Sequence, residues 1–188
     1  MALYQCAARI DERGRISGGK VGDQGGEVCV YQYADFREGW DGVLRWLGPK
    51  QARVRNRLMC AAYRIAKYDA AGYDQSKRIT LYNQMKRLNW LLRDVKKLPK
   101  CSCDCSLMMG VCANIALLPL KLSDVVCPDY VYTGNMKAIF RAMGFSWITE
   151  GIDFETGAGL LPGDVLLNED HHTSMFFGSK KSGERYIM

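Results

Sequence analysis

Cys101-Ser102-Cys103-Asp104-Cys105-Ser106 is a polar, cysteine-rich run. It passes directly into Leu107-Met108-Met109-Gly110-Val111-Cys112-Ala113-Asn114-Ile115-Ala116, an apolar segment with helical spacing. That junction predicts a helix from about Cys105 to Leu117, with Cys105 in its first turn. Backbone N–H groups in a first turn have no intrahelical partner, and the helix dipole favours negative charge there. A thiol so placed is expected to have a lowered pKa and to act as a nucleophile near neutral pH. Such a thiol needs a base. The chain has two histidines, His171 and His172, in a segment with strand character. Period-two spacing puts His172, Ser174 and Phe176 on one face and His171, Thr173, Met175 and Phe177 on the other. A helix start bearing a cysteine, packed against a strand bearing a histidine, is the arrangement of a thiol hydrolase. The imidazole takes the thiol proton and later delivers it to the leaving group.

The same residues admit other chemistry. Cys101, Cys103, Cys105 and Cys112, with the histidine pair, are numerous enough to hold zinc. Their Cys-x-Cys-x-Cys spacing is not the Cys-x₂₋₄-Cys of common structural sites, so a metal is the less favoured reading. Taken alone, Cys105 would read as a buried, inert cysteine. Its Asp-Cys-Ser setting and the downstream histidine strand turn the balance toward catalysis. The eight cysteines could form disulfides outside a cell, and Cys103 beside Cys105 would make the nucleophile prone to oxidation. His171 reads as a hairpin histidine without a chemical role. The pairs Gly18-Gly19 and Gly25-Gly26 lack the Gly-Lys-Ser/Thr ending of a phosphate loop.

Helices are expected first and a sheet second. Residues 8–33 read as turns leading to a strand at Glu27 to Tyr33. Trp40, Val43, Leu44 and Leu47 suggest a short amphipathic helix over 38–47, closed by Gly48-Pro49. Val54, Leu58, Ala61, Ala62 and Ile65 form the core stripe of a helix from Gln51 to Asp69. Arg53, Arg55, Arg57, Arg64 and Lys67 lie around it, and a solvated face explains them better than nucleic acid. Thr80 to Lys97 reads as a second basic amphipathic helix, and Thr133-Gly134-Asn135 as the cap of a helix from Met136 to Met143. Phe145 to Ile148 is strand-like, Leu161 to Asp164 a turn, and Val165 to Phe177 a hairpin. Arg185 to Met188 would begin a third strand. The fold class is therefore α+β.

The motifs together carry a resemblance. Asp104-Cys105-Ser106, then Pro162-Gly163-Asp164-Val165-Leu166-Leu167, then His172-Thr173-Ser174-Met175-Phe176-Phe177-Gly178 resemble the NlpC-type, papain-like cell-wall peptidases. More closely they resemble the phage peptidoglycan amidases and endopeptidases of that superfamily. The similarity covers about Tyr73 to Met188. Ile10-Asp11-Glu12, Gly18-Gly19-Lys20 and Gly22-Asp23-Gln24 are similar to the opening region of lysin-like proteins. The resemblance implies a papain-like core with Cys105 as nucleophile and His172 as general base. Asp104, Ser106 and Tyr73 would line the substrate site, with Asp104 binding an amine of the stem peptide. The backbone N–H of Cys105 would contribute to an oxyanion hole. The family's residue that orients the histidine lies in the following strand, which here falls at the end of the chain. Glu184 and His171 are the candidates for it.

A chain of 188 residues suits one catalytic domain, with residues 1–48 as a loop-rich extension packed on a core of 49–188. The net charge of +6 would assist approach to an anionic wall, in a salt-dependent way. No apolar run approaches the ~20 residues of a membrane helix, and Met1 to Arg9 lacks the pattern of a signal peptide. The expectation is a chain made in the cytoplasm that reaches bacterial peptidoglycan after release by a holin or on lysis. No cofactor, nucleic acid or stable membrane insertion is expected. The alternative from a different class is a non-catalytic wall- or nucleic-acid-binding module on the same fold.

Overall fold

The structure is a computed structural model and describes residues 2–35 and 39–179. Its elements in chain order are β1 (Tyr4–Ala8), β2 (Val28–Gln32), β3 (Gly42–Trp46), α1 (Gln51–Lys67), β4 (Ala71–Tyr73) and α2 (Ile79–Arg87). They continue with β5 (Cys101–Cys103), α3 (Cys105–Leu117), α4 (Thr133–Ala142), β6 (Phe145–Ile148), β7 (Val165–Asn168) and β8 (His172–Gly178). The class is α+β. A six-stranded sheet in the order β2-β1-β8-β7-β3-β6 is antiparallel throughout, and β4 and β5 form a small parallel pair.

Helix α3 is apolar all round, and every one of its residues is buried. A helix of that composition is stable only when surrounded on all sides. Here α1, α2 and the sheet supply the surroundings. The α1 stripe Val54, Leu58, Ala61, Ala62 and Ile65 is buried as its spacing requires. Arg57 on α1 donates from Nη2 to the Ile115 carbonyl (2.6 Å) and from Nε to that of Ala116 (3.2 Å). It thus satisfies carbonyls that the C-terminal turn of α3 leaves open. At least one of the α1 arginines therefore braces the buried helix instead of forming a free basic face.

Several boundaries differ from expectation. Residues 42–46 form strand β3, where an amphipathic helix was expected over 38–47. Leu44 and Trp46 pack on the helical core while Val43 packs with Trp40 and Leu166 on the opposite face. A strand buried on both faces loses the alternation that would reveal it. The helix expected over Thr80 to Lys97 stops at Arg87. Asn89 and Trp90 turn through left-handed backbone (φ 52° and 57°). The turn lays Trp90 against Tyr82 edge to face at 4.9 Å. Residues Leu92–Lys97 then form a 3₁₀ turn. Helix α4 starts at Thr133, with the Asn135 side chain accepting the Tyr132 N–H at 2.8 Å. The strand expected at Arg185 to Met188 lies outside the described residues.

The first 48 residues are not an extension on a separate core. They supply three of the six strands, and β1 lies inside the sheet between β2 and β8. The loop between β1 and β2 is tied down by carboxylates. Asp23 accepts the N–H groups of Gly25, Gly26, Glu27 and Val28. The buried Glu27 accepts the Tyr73 N–H at 2.6 Å, which fixes the end of β4. Gly72 faces this loop so closely that a Cβ there would sit 2.3 Å from the Gly22 oxygen.

Candidate active site

Asp104 is the N-cap of α3. Its backbone is extended, and its Oδ1 accepts from the Leu107 N–H at 2.7 Å and from Ser106 Oγ at 3.0 Å. Its Oδ2 takes the Nη1 of Arg78 at 2.5 Å. Both oxygens are thus used within the protein, which fixes the start of α3. Ser106, also buried, offers its hydroxyl to Asp104 and to the Val131 carbonyl (3.3 Å). Cys105 therefore sits at a capped, braced helix start, as its sequence context predicts.

The cysteine opens on a cleft of about 390 Å³. Gln75, Arg78, Asp104, Cys105, Ser106, Tyr132, Thr133, Asp170 and His171 line it. Four parts of the chain meet there: the end of β4 with the approach to α2, the α3 cap, the α4 start and the β7–β8 turn. Tyr73 is buried behind Gln75, whose Nε2 donates to the Tyr73 hydroxyl at 3.0 Å. Burial, and then the nearby Cys105, raise the tyrosine's pKa.

The electrostatics of the thiol depart from expectation. Burial, and then the Asp104 carboxylate, push the Cys105 pKa up to about 12. The backbone N–H groups of Thr173, Ser106 and Cys105 itself pull it down, but not enough to reverse the sign. The helix-start effect read from the sequence is present, and desolvation exceeds it. At neutral pH the sulfur is a protonated thiol. Iodoacetamide should accordingly modify Cys105 slowly at pH 7, with a rate that climbs about tenfold per pH unit without levelling off before pH 10. A plateau below pH 8, followed by mass spectrometry of the labelled peptide, would contradict this.

The two histidines are placed differently from each other. His171, in the exposed turn between β7 and β8, lines the cleft. His172 opens β8 and does not line it. Its ring is buried and lies 6.3 Å from the Trp40 ring, on the strand face shared by Ser174 and Phe176. The next residue, Thr173, has its N–H close enough to the Cys105 sulfur to lower its pKa, so the start of β8 borders the thiol. Burial, then His171 and Arg9, lower the His172 pKa to about 3. A neutral imidazole is thus its resting form.

That lowering has a consequence for stability. Between about pH 6.5 and pH 3 the unfolded chain binds a proton at His172 that the folded chain does not. The contribution is complete above pH 6.5 and is lost as pH falls through 3. Its full size is on the order of 5 kcal/mol. Urea titrations of the parent and of His172→Asn at pH 7 and pH 4 are expected to show the parent losing more stability on acidification than the variant. Equal losses would remove His172 from the account.

Arg78 was not marked by the sequence. It precedes α2 and contacts residues 26, 28 and 51 positions away: the Asp104 carboxylate, the Ser106 hydroxyl and the Asp129 carbonyl. The Pro162-Gly163-Asp164 turn has a similar long-range partner. Asp164, fully buried, takes the Nε and Nη2 of Arg45 at 2.8 and 2.6 Å and the Leu161 N–H at 2.8 Å. Those bonds anchor the hairpin that carries both histidines. Among the described residues, all eight cysteines are free thiols. Also among the described residues, no three His, Cys, Asp or Glu side chains are grouped to hold a metal ion. The candidate orienter Glu184 lies outside the described residues. Among those described, no helix is long and apolar enough to cross a membrane.

A family model described as an endolysin-like domain matches residues 6–182. No curated protein and no solved structure matches the chain.

Proposed function

The chain belongs to the endolysin-like domain family, which indicates a phage cell-wall lytic function, and from that premise we propose a cysteine peptidoglycan hydrolase of papain-like, NlpC type. The bond cut is an amide of the stem peptide or of its link to muramic acid. One observation carries the reading. The Cys105 sulfur lies at the first turn of α3, opens on a cleft and borders the start of the histidine strand.

In this reading His172, neutral at rest, is the base; its ring packs on Trp40 outside the cleft and must turn toward Cys105 to act, whereas His171 already lines the cleft. Thiol and imidazole are both uncharged before substrate arrives, so proton transfer accompanies attack instead of preceding it. The Cys105 sulfur adds to the amide carbonyl as its proton passes to the imidazole. Backbone N–H groups at the α3 start, that of Cys105 among them, stabilise the oxyanion; one such donor typically contributes about 3 kcal/mol. The imidazolium protonates the departing amine, leaving a thioester on Cys105. Water, deprotonated by the same imidazole, then releases the acid and restores the thiol.

The partner is bacterial peptidoglycan, reached after synthesis in the cytoplasm and release by a holin or on lysis. Digestion of purified peptidoglycan, with mass spectrometry of the fragments, tests the reading and identifies the bond. His172→Ala and His171→Ala should separate: loss of turnover in the first and retention in the second supports the assignment. The reverse result would transfer the base to the cleft-lining His171. Wall binding by the parent without any cleavage would leave a binding module.

A further inference from the structure

We propose that Arg78 is a specificity residue that holds a carboxylate of the substrate next to the scissile amide. The inference rests on the hydrolase reading for the meaning of the cleft. Its observations are separate. Arg78 lines the same cleft as Cys105. One of its nitrogens, Nη1, is bound to Asp104, with Ser106 Oγ at 3.5 Å. Nη2 makes only a 3.5 Å contact with the Asp129 carbonyl, and Nε has no partner among the described residues. The guanidinium side chain is 19% exposed. It is held rigidly by Asp104 while part of its donor fork remains available. A planar fork with donors to spare matches a carboxylate.

The surroundings narrow the ligand. Asp104 already balances the charge of Arg78, and Asp170 adds a negative charge from the hairpin turn. A polyanion would be repelled by that pair of carboxylates. A peptide carrying one carboxylate near the cleaved amide and an ammonium elsewhere suits the balance. Asp104, whose oxygens are both occupied within the protein, is then the holder of the guanidinium and not itself the amine-binding group. Arg78 touches substrate in this assignment, and Asp104 is a positioning residue.

Two synthetic muropeptides test it, identical except that the α-carboxylate of the γ-linked glutamyl residue is free in one and a carboxamide in the other. The parent should favour the free acid in kcat/KM by about tenfold or more, and Arg78→Gln should bring the ratio near one. Arg78→Lys should restore part of the preference. A parent ratio of one, or an equal fall on both substrates in Arg78→Gln, overturns the inference and leaves Arg78 a brace for the α3 cap. Calorimetric affinities of the two peptides for Cys105→Ala provide a second readout. Discrimination there without hydrolysis by the parent would sink the hydrolase reading and sustain the carboxylate site. Equal affinities would overturn the site whatever the parent cleaves.

Discussion

Cys105→Ala is expected to lower peptidoglycan hydrolysis by about 10⁴-fold or more, to the level of the assay blank. Among the described residues lining the cleft, Cys105 is the one thiol. The Ser106 hydroxyl is committed to Asp104 and to the Val131 carbonyl, and a hydroxyl there would need a far stronger base than a buried imidazole. The variant should fold. Alanine is favourable in a helix, the Asp104 cap does not involve the cysteine side chain, and Leu107 and the rest of the α3 core are unchanged. Circular dichroism and a denaturation midpoint close to the parent's would show that the loss is chemical. Equal release of fragments by parent and variant would remove Cys105 from the mechanism.

Asp164→Ala is expected to cost about 3–5 kcal/mol of folding stability. The substitution leaves the Arg45 guanidinium, only 12% exposed, without its bidentate carboxylate. It also strips the Leu161 N–H of its acceptor. Among the described residues, Arg45 then retains the Gly159 carbonyl at 2.8 Å. The removal of one partner from a buried pair is more damaging than replacement of both. Arg45→Met combined with Asp164→Leu should therefore recover part of the loss, a sign that the single variant suffers from a stranded charge. Urea denaturation of the parent, both singles and the double provides the coupling energy. Near-additive losses would mean that the pair is unimportant and the turn is held by its backbone alone. Hydrolytic activity should fall with Asp164→Ala as well, since the turn it anchors leads into β7, the hairpin partner of the strand that carries His172.

The elements nearest to the chemistry were the most legible in the sequence. Helix α3 announces itself by a polar, cysteine-rich run passing into an apolar segment with helical spacing, and the β7–β8 hairpin by two strand-like runs flanking Asn168-Glu169-Asp170. Strand β3 was hidden because Val43 and Leu44 are buried on opposite faces, so polar residues do not mark a solvent side. Strand β1, Tyr-Gln-Cys-Ala-Ala, is short, and its only polar interior residue, Gln5, is itself buried. The missed site residue, Arg78, has no local signature, since its meaning comes from Asp104 across a tertiary contact. The direction of the Cys105 shift was misjudged for a related reason. The helix start is a local property visible in sequence, whereas desolvation depends on everything packed around it. Two adjacent histidines on a strand necessarily diverge, and the sequence alone could not say which would face the cleft.

The position of β8 has a kinetic consequence. It is the single strand joining β2-β1 on one side to β7-β3-β6 on the other. Until it inserts, the sheet is two fragments, one of them a bare hairpin, and an isolated hairpin is at best marginally stable. The pairing of Tyr4 to Cys6 with Gly178 to Met175 joins residues from nearly opposite ends of the described chain, a high contact order that slows folding. A ribosome delivers β8 long after β1, so the sheet cannot close during most of synthesis. The histidine that opens β8 arrives with that closure. Folding and the assembly of the proposed site are thus a single late event, and an incomplete chain carries the Cys105 thiol without the strand that borders it.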